Sequence, residues 1–232
     1  MLYSSVMVFI KANGPSEGRQ YLVQALLGAL GKNLKTLWLV SGGSNAPLAA
    51  EVLRALPDNK LVNLTVAMVD ERYGKVGHPD SNQYKLSEAG FDFSRVNFAP
   101  ILGQERLSLY QTADTYENRL QAMFKESDKI IGQFGIGEDG HTAGILPHSA
   151  ACRIDDRLVI GYRGPDFERV TLSFPAIKQV DEAYIFAYGE EKSQVLHSLY
   201  EKDLALANQP AQIFRQSQAK SFIINNIIGD SA

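Results

Sequence analysis

A carboxylate and an imidazole two positions apart are the strongest candidates for chemistry in this sequence. Asp139 and His141 stand in the glycine-rich stretch Gly135-Ile136-Gly137-Glu138-Asp139-Gly140-His141-Thr142-Ala143. The apolar run Lys129 to Phe134 comes directly before it and predicts a buried strand. Ligand sites in open α/β sheets form at the carboxyl ends of strands. This position therefore suits a general acid/base site, with His141 as the titrating group and Asp139 near it.

Spacing alone leaves other interpretations of this stretch open. Its glycines match the dinucleotide-binding pattern G-x-G-x-x-G, but Pro147 interrupts the long helix that this pattern should open. A metal site could use Asp139, His141 and His148, although no zinc-like cluster of ligands appears. The stretch also fits an ordinary glycine-rich turn whose carboxylate and imidazole only cap backbone groups. We predict neither a metal nor a cofactor.

A second glycine loop has the order of elements that binds phosphate. The apolar run Thr36 to Val40 predicts a strand covered on both faces, and Ser41-Gly42-Gly43-Ser44-Asn45 follows it. A helix is predicted next, with Ser44 or Asn45 as its cap. The free N–H groups and the dipole at the start of a helix attract phosphate. An ordinary strand-to-helix turn is the alternative for this loop.

Charged residues stand at the ends of three further predicted elements. Asp70-Glu71-Arg72 follows the apolar run Leu64 to Val69, and the forked guanidinium of Arg72 could grip an oxyanion. A solvated surface cluster is the alternative there. Arg169 opens a later predicted strand. Lys192 falls in the first turn of a predicted helix, where a basic residue opposes the helix dipole and is either simply exposed or present for an anion.

Strand and helix patterns alternate along the whole sequence. The predicted strands are Val6 to Ile10, Thr36 to Val40, Leu64 to Val69, residues 97 to 102, Lys129 to Phe134, Arg157 to Tyr162, Arg169 to Phe174, Ala183 to Tyr188 and Phe222 to Asn225. The clearest predicted helices follow Pro15, Asn45, Ser81 and Gly189 or run from Leu109 to Ser127. No linker or repeat interrupts the alternation. Residues 1–232 are therefore predicted to form one α/β domain with a mainly parallel sheet between helix layers.

Composition narrows the function classes. The chain has 232 residues, of which 45% are hydrophobic, and this is enough for a substantial core. Its formal net charge of -3 provides no basic field for nucleic acid. The run Val6 to Ile10 is too short for a membrane span or a signal segment. A single cysteine excludes an internal disulfide and favours a reducing compartment, so we expect a cytoplasmic protein with no nucleic-acid or membrane partner.

The loops together resemble those of the 6-phosphogluconolactonase family, within the superfamily that includes glucosamine-6-phosphate deaminase. The similarity runs from about the first helix to Pro210-Ala211, and the Gly-Glu-Asp-Gly-His-Thr-Ala block is its most specific part. The blocks that carry it appear in this order: Ser41-Gly42-Gly43-Ser44, Asp70-Glu71-Arg72, Asp80-Ser81-Asn82, Gly135 to Ala143, Arg169-Val170-Thr171-Leu172 and Gly189-Glu190-Glu191-Lys192.

This resemblance implies a Rossmann-like sheet and hydrolysis of 6-phosphoglucono-δ-lactone to 6-phosphogluconate, a step of the oxidative pentose phosphate pathway, without metal or nucleotide. By the same resemblance, His141 corresponds to the catalytic base, with Asp139 beside it. The loop Ser41 to Ser44, Arg169 and Lys192 correspond to the phosphate site, and Asp70 and Arg72 to contacts with the sugar or lactone end. The small-molecule lactone is the partner implied; a monomer and a homodimer both stay open.

Two other functions compete with this one. An amino-sugar-phosphate isomerase or deaminase of the same superfamily is the first. The deaminase pattern after Asp-Gly-His runs Ile-Ala-Phe-Asn-Glu-Pro, whereas Leu146 here precedes Pro147 and carries no proton. A non-catalytic sugar-phosphate sensor is the second. Sensors of this fold resemble effector domains joined to a DNA-binding helix-turn-helix, for which we expect no room before residue 36.

Overall fold

The structure is a computed structural model that describes residues 7–103 and 107–231. Its strands are β1 (Met7–Lys11), β2 (Thr36–Val40), β3 (Leu64–Met68), β4 (Asp70–Arg72), β5 (Asn97–Ala99), β6 (Lys129–Gly135), β7 (Val159–Arg163), β8 (Glu168–Leu172), β9 (Glu182–Ala187), β10 (Lys220–Asn225) and β11 (Asp230–Ser231). Its α-helices are α1 (Pro15–Gly31), α2 (Ala46–Ala55), α3 (Asn82–Glu88), α4 (Leu109–Glu126), α5 (Phe174–Ile177), α6 (Ser193–Glu201) and α7 (Ile213–Gln216).

A parallel sheet forms the centre of the molecule and confirms the predicted α/β class. Its strand order is β11-β1-β10-β9-β6-β2-β3-β5, and every adjacent pair runs parallel. Strand β2 is buried at every residue, as its unbroken apolar sequence predicts for a strand covered on both faces by helices. All the carboxyl ends therefore lie at one edge, where the loops after β2, β3, β6 and β9 meet.

A smaller antiparallel sheet, in the order β4-β8-β7, lies beside this edge. Val69 joins the two sheets, because its N–H donates to Val40 O at 2.9 Å and its carbonyl accepts from Leu172 N at 2.9 Å. The sequence pattern predicted strands at Arg157 to Tyr162 and Arg169 to Phe174, and the structure shifts them to β7 and β8. It also turns Asp70–Arg72, expected as the charged end of a strand, into a strand of its own.

The predictions for residues at the starts of helices are confirmed in part. Ser81 caps α3, the helix predicted to follow it, and its hydroxyl accepts from Tyr84 N at 3.1 Å. Asn45 occupies the cap position of α2, but its side chain makes no capping hydrogen bond and reaches across the sheet instead. Lys192 lies one residue before α6, at the end of a 3-10 turn, rather than inside that helix. Val6 lies outside the described residues.

Within residues 7–103 and 107–231, no helix combines the length and the apolar character that crossing a membrane requires.

Candidate active site

The loop after β6 turns back on itself to present Asp139 and His141. Gly140 adopts a φ of +84°, in the left-handed region that glycine reaches without strain. Its N–H donates to Gly137 O at 2.9 Å, and the N–H of Gly137 donates to His141 O at 2.9 Å. These bonds close a tight turn at the carboxyl end of the strand.

Within this turn the carboxylate and the imidazole form a hydrogen-bonded pair. Asp139 Oδ1 lies 2.6 Å from His141 Nδ1 and also accepts from His141 N at 3.0 Å. A Cβ on Gly137 would lie 2.1 Å from His141 Nδ1, so the pair requires glycine there. Partial burial by itself raises the pKa of Asp139, but the hydrogen bonds from His141 outweigh it and the net shift is downward. The carboxylate is therefore ionised at neutral pH and acts only as an acceptor.

The segment after His141 is fastened to the small sheet. The hydroxyl of Thr171 on β8 accepts from Gly144 N at 2.9 Å, and the hydroxyl of Tyr162 on β7 donates to Gly144 O at 2.5 Å. Ala143, which lies between His141 and Gly144 in the chain, has a φ of +51°, an uncommon conformation for a residue with a side chain. The imidazole therefore stands on a turn that is anchored at both ends.

The glycine loop after β2 faces the same space. Gly43 has a φ of +60°, and among the described residues the N–H groups of Gly43 and Ser44 have no hydrogen-bond partner. Such free donors are expected at the start of a helix. Asn45 fixes the loop, because its amide lies 3.2 Å from Phe134 O and 3.5 Å from Phe186 O at the ends of β6 and β9.

Strand β4 brings two charges to the cleft. Asp70 and Arg72 are two residues apart on a strand, so their side chains share one face. Asp70 is buried and accepts from the Asn82 amide at 2.9 Å. Burial raises the pKa of this carboxyl, although the neighbouring Arg72, His141 and Arg169 act in the opposite direction.

Two arginines stand opposite each other across β4 and β8. Arg72 and Arg169 are register partners, and both guanidinium groups lie against the Phe167 ring, at 5.3 and 5.6 Å from its centroid. The Arg72 Nε is buried without a hydrogen-bond partner among the described residues. Arg169 is held by Asp166 through two bonds, Nη1 to Oδ1 at 2.7 Å and Nη2 to Oδ2 at 3.0 Å.

Lys192 supplies a further positive charge. It follows Gly189, whose φ of +109° turns the chain at the end of β9 into the 3-10 segment Glu190–Lys192. Its ammonium has neither an ion pair nor a hydrogen bond within the part of the chain that the structure describes. The side chain is therefore available to an anionic ligand.

These elements enclose one cleft with an inner and an outer part. The inner part lies against the glycine loop and the outer part against Asp166 and Arg169, and the two parts share Asp70, His141 and Lys192 in their walls. All residues that the sequence singled out line the cleft: Ser41, Gly42, Gly43, Ser44, Asp70, Arg72, Asp139, His141, Arg169 and Lys192.

Sequence reasoning missed two residues of this cleft. Asn82 stood in one of the matching blocks but was assigned no role, although its amide holds Asp70 and its Oδ1 is buried without a partner among the described residues. Asp166 carried only a turn signal, since Gly164 and Pro165 precede it. His148, which the sequence offered as a metal ligand, lies in an adjoining depression, and no group of three His, Cys, Asp or Glu side chains suited to a metal occurs in residues 7–103 and 107–231.

Comparison with known proteins identifies relatives of this chain. A 6-phosphogluconolactonase from Synechocystis is 28% identical over 204 residues, covering 84% of each chain. The crystal structure of a 6-phosphogluconolactonase from Shewanella baltica superposes with a TM-score of 0.81 at 21% identity, over 99% of both chains. A monomeric glucosamine-6-phosphate deaminase superposes with a TM-score of 0.74 at 16% identity, over 94% of this chain and 97% of its own.

The two superpositions establish a shared fold and do not separate lactonase from deaminase. The match by family model spans most of the chain, from the first helix to the last long strand. The model described as glucosamine-6-phosphate isomerases/6-phosphogluconolactonase covers residues 16–223, and the chain therefore belongs to this family.

Proposed function

We propose that this protein hydrolyses 6-phosphoglucono-δ-lactone to 6-phosphogluconate, with His141 activating the attacking water. The observation that carries the proposal is the 2.6 Å contact between Asp139 and the Nδ1 of His141, in the wall of a cleft that also exposes a cation and free N–H groups. A lactone is an activated ester. Its hydrolysis needs a base for water and a stabilised oxyanion but no covalent nucleophile.

The pair determines which imidazole nitrogen acts. An ionised Asp139 can only accept, so Nδ1 carries the proton and donates it to the carboxylate. Nε2 then holds the free lone pair that removes a proton from water. Asp139 is a positioning residue in this scheme, because it sets the tautomer and stabilises the imidazolium that forms.

Arg72 is the proposed donor to the oxyanion. Water attack converts the carbonyl of the lactone into an alkoxide, which a pre-placed cation stabilises. Arg72 lies in the wall of both parts of the cleft, and its buried Nε lacks a partner among the described residues. Asp70, held by Asn82, is proposed to accept from a sugar hydroxyl at the same end.

The phosphate is proposed to bind at the N–H groups of Gly43 and Ser44, with Lys192 and Arg169 as its cations. The loop Ser41 to Ser44 has the geometry of an anion site, and Lys192 carries a charge not used by the fold. Because the phosphate is remote from the reacting carbon, its binding energy orients the ring rather than assisting bond cleavage directly.

The similar proteins support this assignment. The relative from Synechocystis and the neighbour from Shewanella baltica both bear the name 6-phosphogluconolactonase. We place the reaction in the oxidative pentose phosphate pathway and in the cytoplasm.

The test is hydrolysis of freshly prepared 6-phosphogluconolactone, followed by oxidation of the product in a coupled assay. Ammonia release from glucosamine-6-phosphate is measured on the same sample. We expect rapid lactone hydrolysis and no ammonia, because Leu146 stands in the cleft wall before Pro147 and carries no proton. Ammonia release comparable to lactone turnover would show that the deaminase assignment is the right one.

A further inference from the structure

We propose that Asp166 competes with the substrate phosphate for Arg169. The Asp166 carboxylate has to leave the Arg169 guanidinium before the phosphate can bind there. The proposal rests on the function proposed above and adds a residue that sets affinity and specificity at the same cleft. Nothing in the reaction itself requires a carboxylate at this position.

The contact has the form of a ligand interaction made by the protein itself. The two Asp166 oxygens bind the two Nη atoms of Arg169 at 2.7 and 3.0 Å, the fork geometry that guanidinium groups also make with phosphate. The Nη1 of Arg169 also donates to Phe167 O at 3.1 Å. The face of the guanidinium that would grip a phosphate is therefore already occupied.

The two partners differ in their freedom to move. The Arg169 side chain is 6% exposed and lies in β8 against the Phe167 ring. The Asp166 side chain is 51% exposed and stands on the turn between β7 and β8. An exposed carboxylate can rotate into water at little cost, whereas the buried guanidinium has no such alternative. An arriving phosphate therefore displaces Asp166 and leaves Arg169 in place.

Charge makes this competition selective. Asp166 lies in the wall of the outer cleft together with Lys192 and Asp139. Its negative charge weakens the attraction of the cleft for any anion, and only an anion with paired oxygens can replace it on Arg169. A neutral lactone is not repelled by Asp166 and cannot replace it on Arg169, so hydrolysis of the neutral lactone should not depend on Asp166.

The same competition should hasten product release. The product 6-phosphogluconate retains the phosphate and leaves when that group lets go of Arg169. Asp166, fixed three residues away in sequence, re-forms its ion pair at that moment. Affinity for the substrate is lower than the cations alone would give, and the site is returned to its resting state faster.

The experiment measures binding of inorganic phosphate by titration calorimetry and turnover of the phosphorylated and neutral lactones. Asp166→Asn removes the charge and keeps an oxygen for the Phe167 N–H, which Asp166 Oδ1 binds at 2.9 Å. Glu168→Gln is the matched control, because Glu168 forms a comparable pair with Arg163 at 2.7 Å on the same hairpin, and its side chain alternates to the other face from that of Arg169. If the first variant does not fold, Asp166→Ser retains an acceptor for the turn.

We expect the Kd for phosphate to fall about fivefold in Asp166→Asn, the scale of one exposed ion pair, and to stay unchanged in Glu168→Gln. The KM for the phosphorylated lactone should fall in parallel, and the neutral lactone should be unaffected. In an Arg169→Ala background the Asp166→Asn change should lower the Kd for phosphate by clearly less than about fivefold, because only the through-space repulsion by the carboxylate is then removed.

An unchanged or higher Kd for phosphate in Asp166→Asn would overturn the proposal and assign Asp166 a purely supporting role for Arg169. So would an equal effect in the Arg169→Ala background. Phosphate binding needs no turnover. If Asp166→Asn binds phosphate more tightly but the parent hydrolyses no lactone, the competition stands and the proposed function fails.

Discussion

Replacing Asp139 by asparagine tests the central step of the proposed mechanism. The change keeps the size of the side chain and one oxygen, but it removes the charge and adds an N–H donor. That donor faces Nδ1 of His141, which now lies 2.6 Å from a carboxylate oxygen. The imidazole then gains a hydrogen bond by placing its proton on Nε2, the nitrogen that has to accept a proton from water.

The structure sets the size of the effect. A hydrogen bond to a charged group contributes about 1.5–3 kcal/mol, or roughly 10- to 150-fold in rate. The side chains of His141 and Asp139 are 39% and 51% exposed, so solvent weakens the interaction and favours the lower part of that range. We therefore expect kcat to fall roughly 10- to 50-fold in Asp139→Asn and at least about 100-fold in His141→Ala.

The assay is steady-state hydrolysis of freshly prepared 6-phosphogluconolactone, with thermal unfolding as a check on the fold. Glu138→Gln is the control, because Glu138 is the neighbouring exposed carboxylate in the same cleft wall and should leave kcat close to that of the parent. The double variant Asp139→Asn/His141→Ala should be no slower than His141→Ala alone, since Asp139 acts through the imidazole. Near-normal kcat in Asp139→Asn, or two losses that multiply, would refute this reasoning.

Three further predictions test other parts of the cleft. Lys192→Ala should raise KM for the phosphorylated lactone about tenfold, with kcat/KM for the neutral lactone unchanged, because a charge-assisted bond to phosphate is lost; equal losses for both lactones would argue against this role. Gly42→Ala should lower the free energy of unfolding measured in urea by about 1–3 kcal/mol and should raise KM, because the new Cβ would lie 2.5 Å from that of Asn82. An unchanged KM would show that this loop does not bind the substrate. Hydrogen bonds from Arg169 lower the pKa of Asp166 to about 2, so their pair stabilises the fold above the unfolded pKa of roughly 4 and loses this contribution as pH falls through about 2. Asp166→Asn should therefore be less stable than the parent by under about 1 kcal/mol at pH 7, with the difference shrinking between pH 4 and 2, and a constant difference would contradict the linkage.

The sequence predicted the meeting of the loops for a topological reason. Loops that follow parallel strands leave from the same edge of the sheet. Once the strands were predicted, it followed that the loops at Ser41 to Ser44, Asp139 and Lys192 would lie close together. Apolar runs bounded by glycine were sufficient for that recognition. The roles of these residues remain predictions, to be settled by the variants above.

Contacts between distant segments were beyond the reach of sequence patterns. The register that pairs Arg72 with Arg169 exists because the chain leaves the main sheet at Val69 and enters β4. Local residue propensities do not predict this change of sheet. Asn45 shows the same limit. Its type and position indicated a helix cap, but its side-chain amide donates instead to Phe134 O and Phe186 O on two other strands. Asp166 was assigned no role from the sequence, because its contact with Arg169 exists only once the β7–β8 hairpin has formed.

The small antiparallel sheet distinguishes this cleft from a plain crevice at the end of a parallel sheet. Parallel strands alone would supply the glycine loop and the Asp139–His141 turn, which are a donor surface and a base. Strands β4 and β8 add Arg72 and Arg169 on one rigid support, and β7 and β8 fasten the segment after His141 through Tyr162 and Thr171. The proposed base and the proposed cations are thus held by a single hydrogen-bonded unit. A change that breaks the Tyr162 or Thr171 contact of the β7–β8 hairpin should therefore alter both phosphate affinity and turnover, whereas a change in the glycine loop should alter affinity alone.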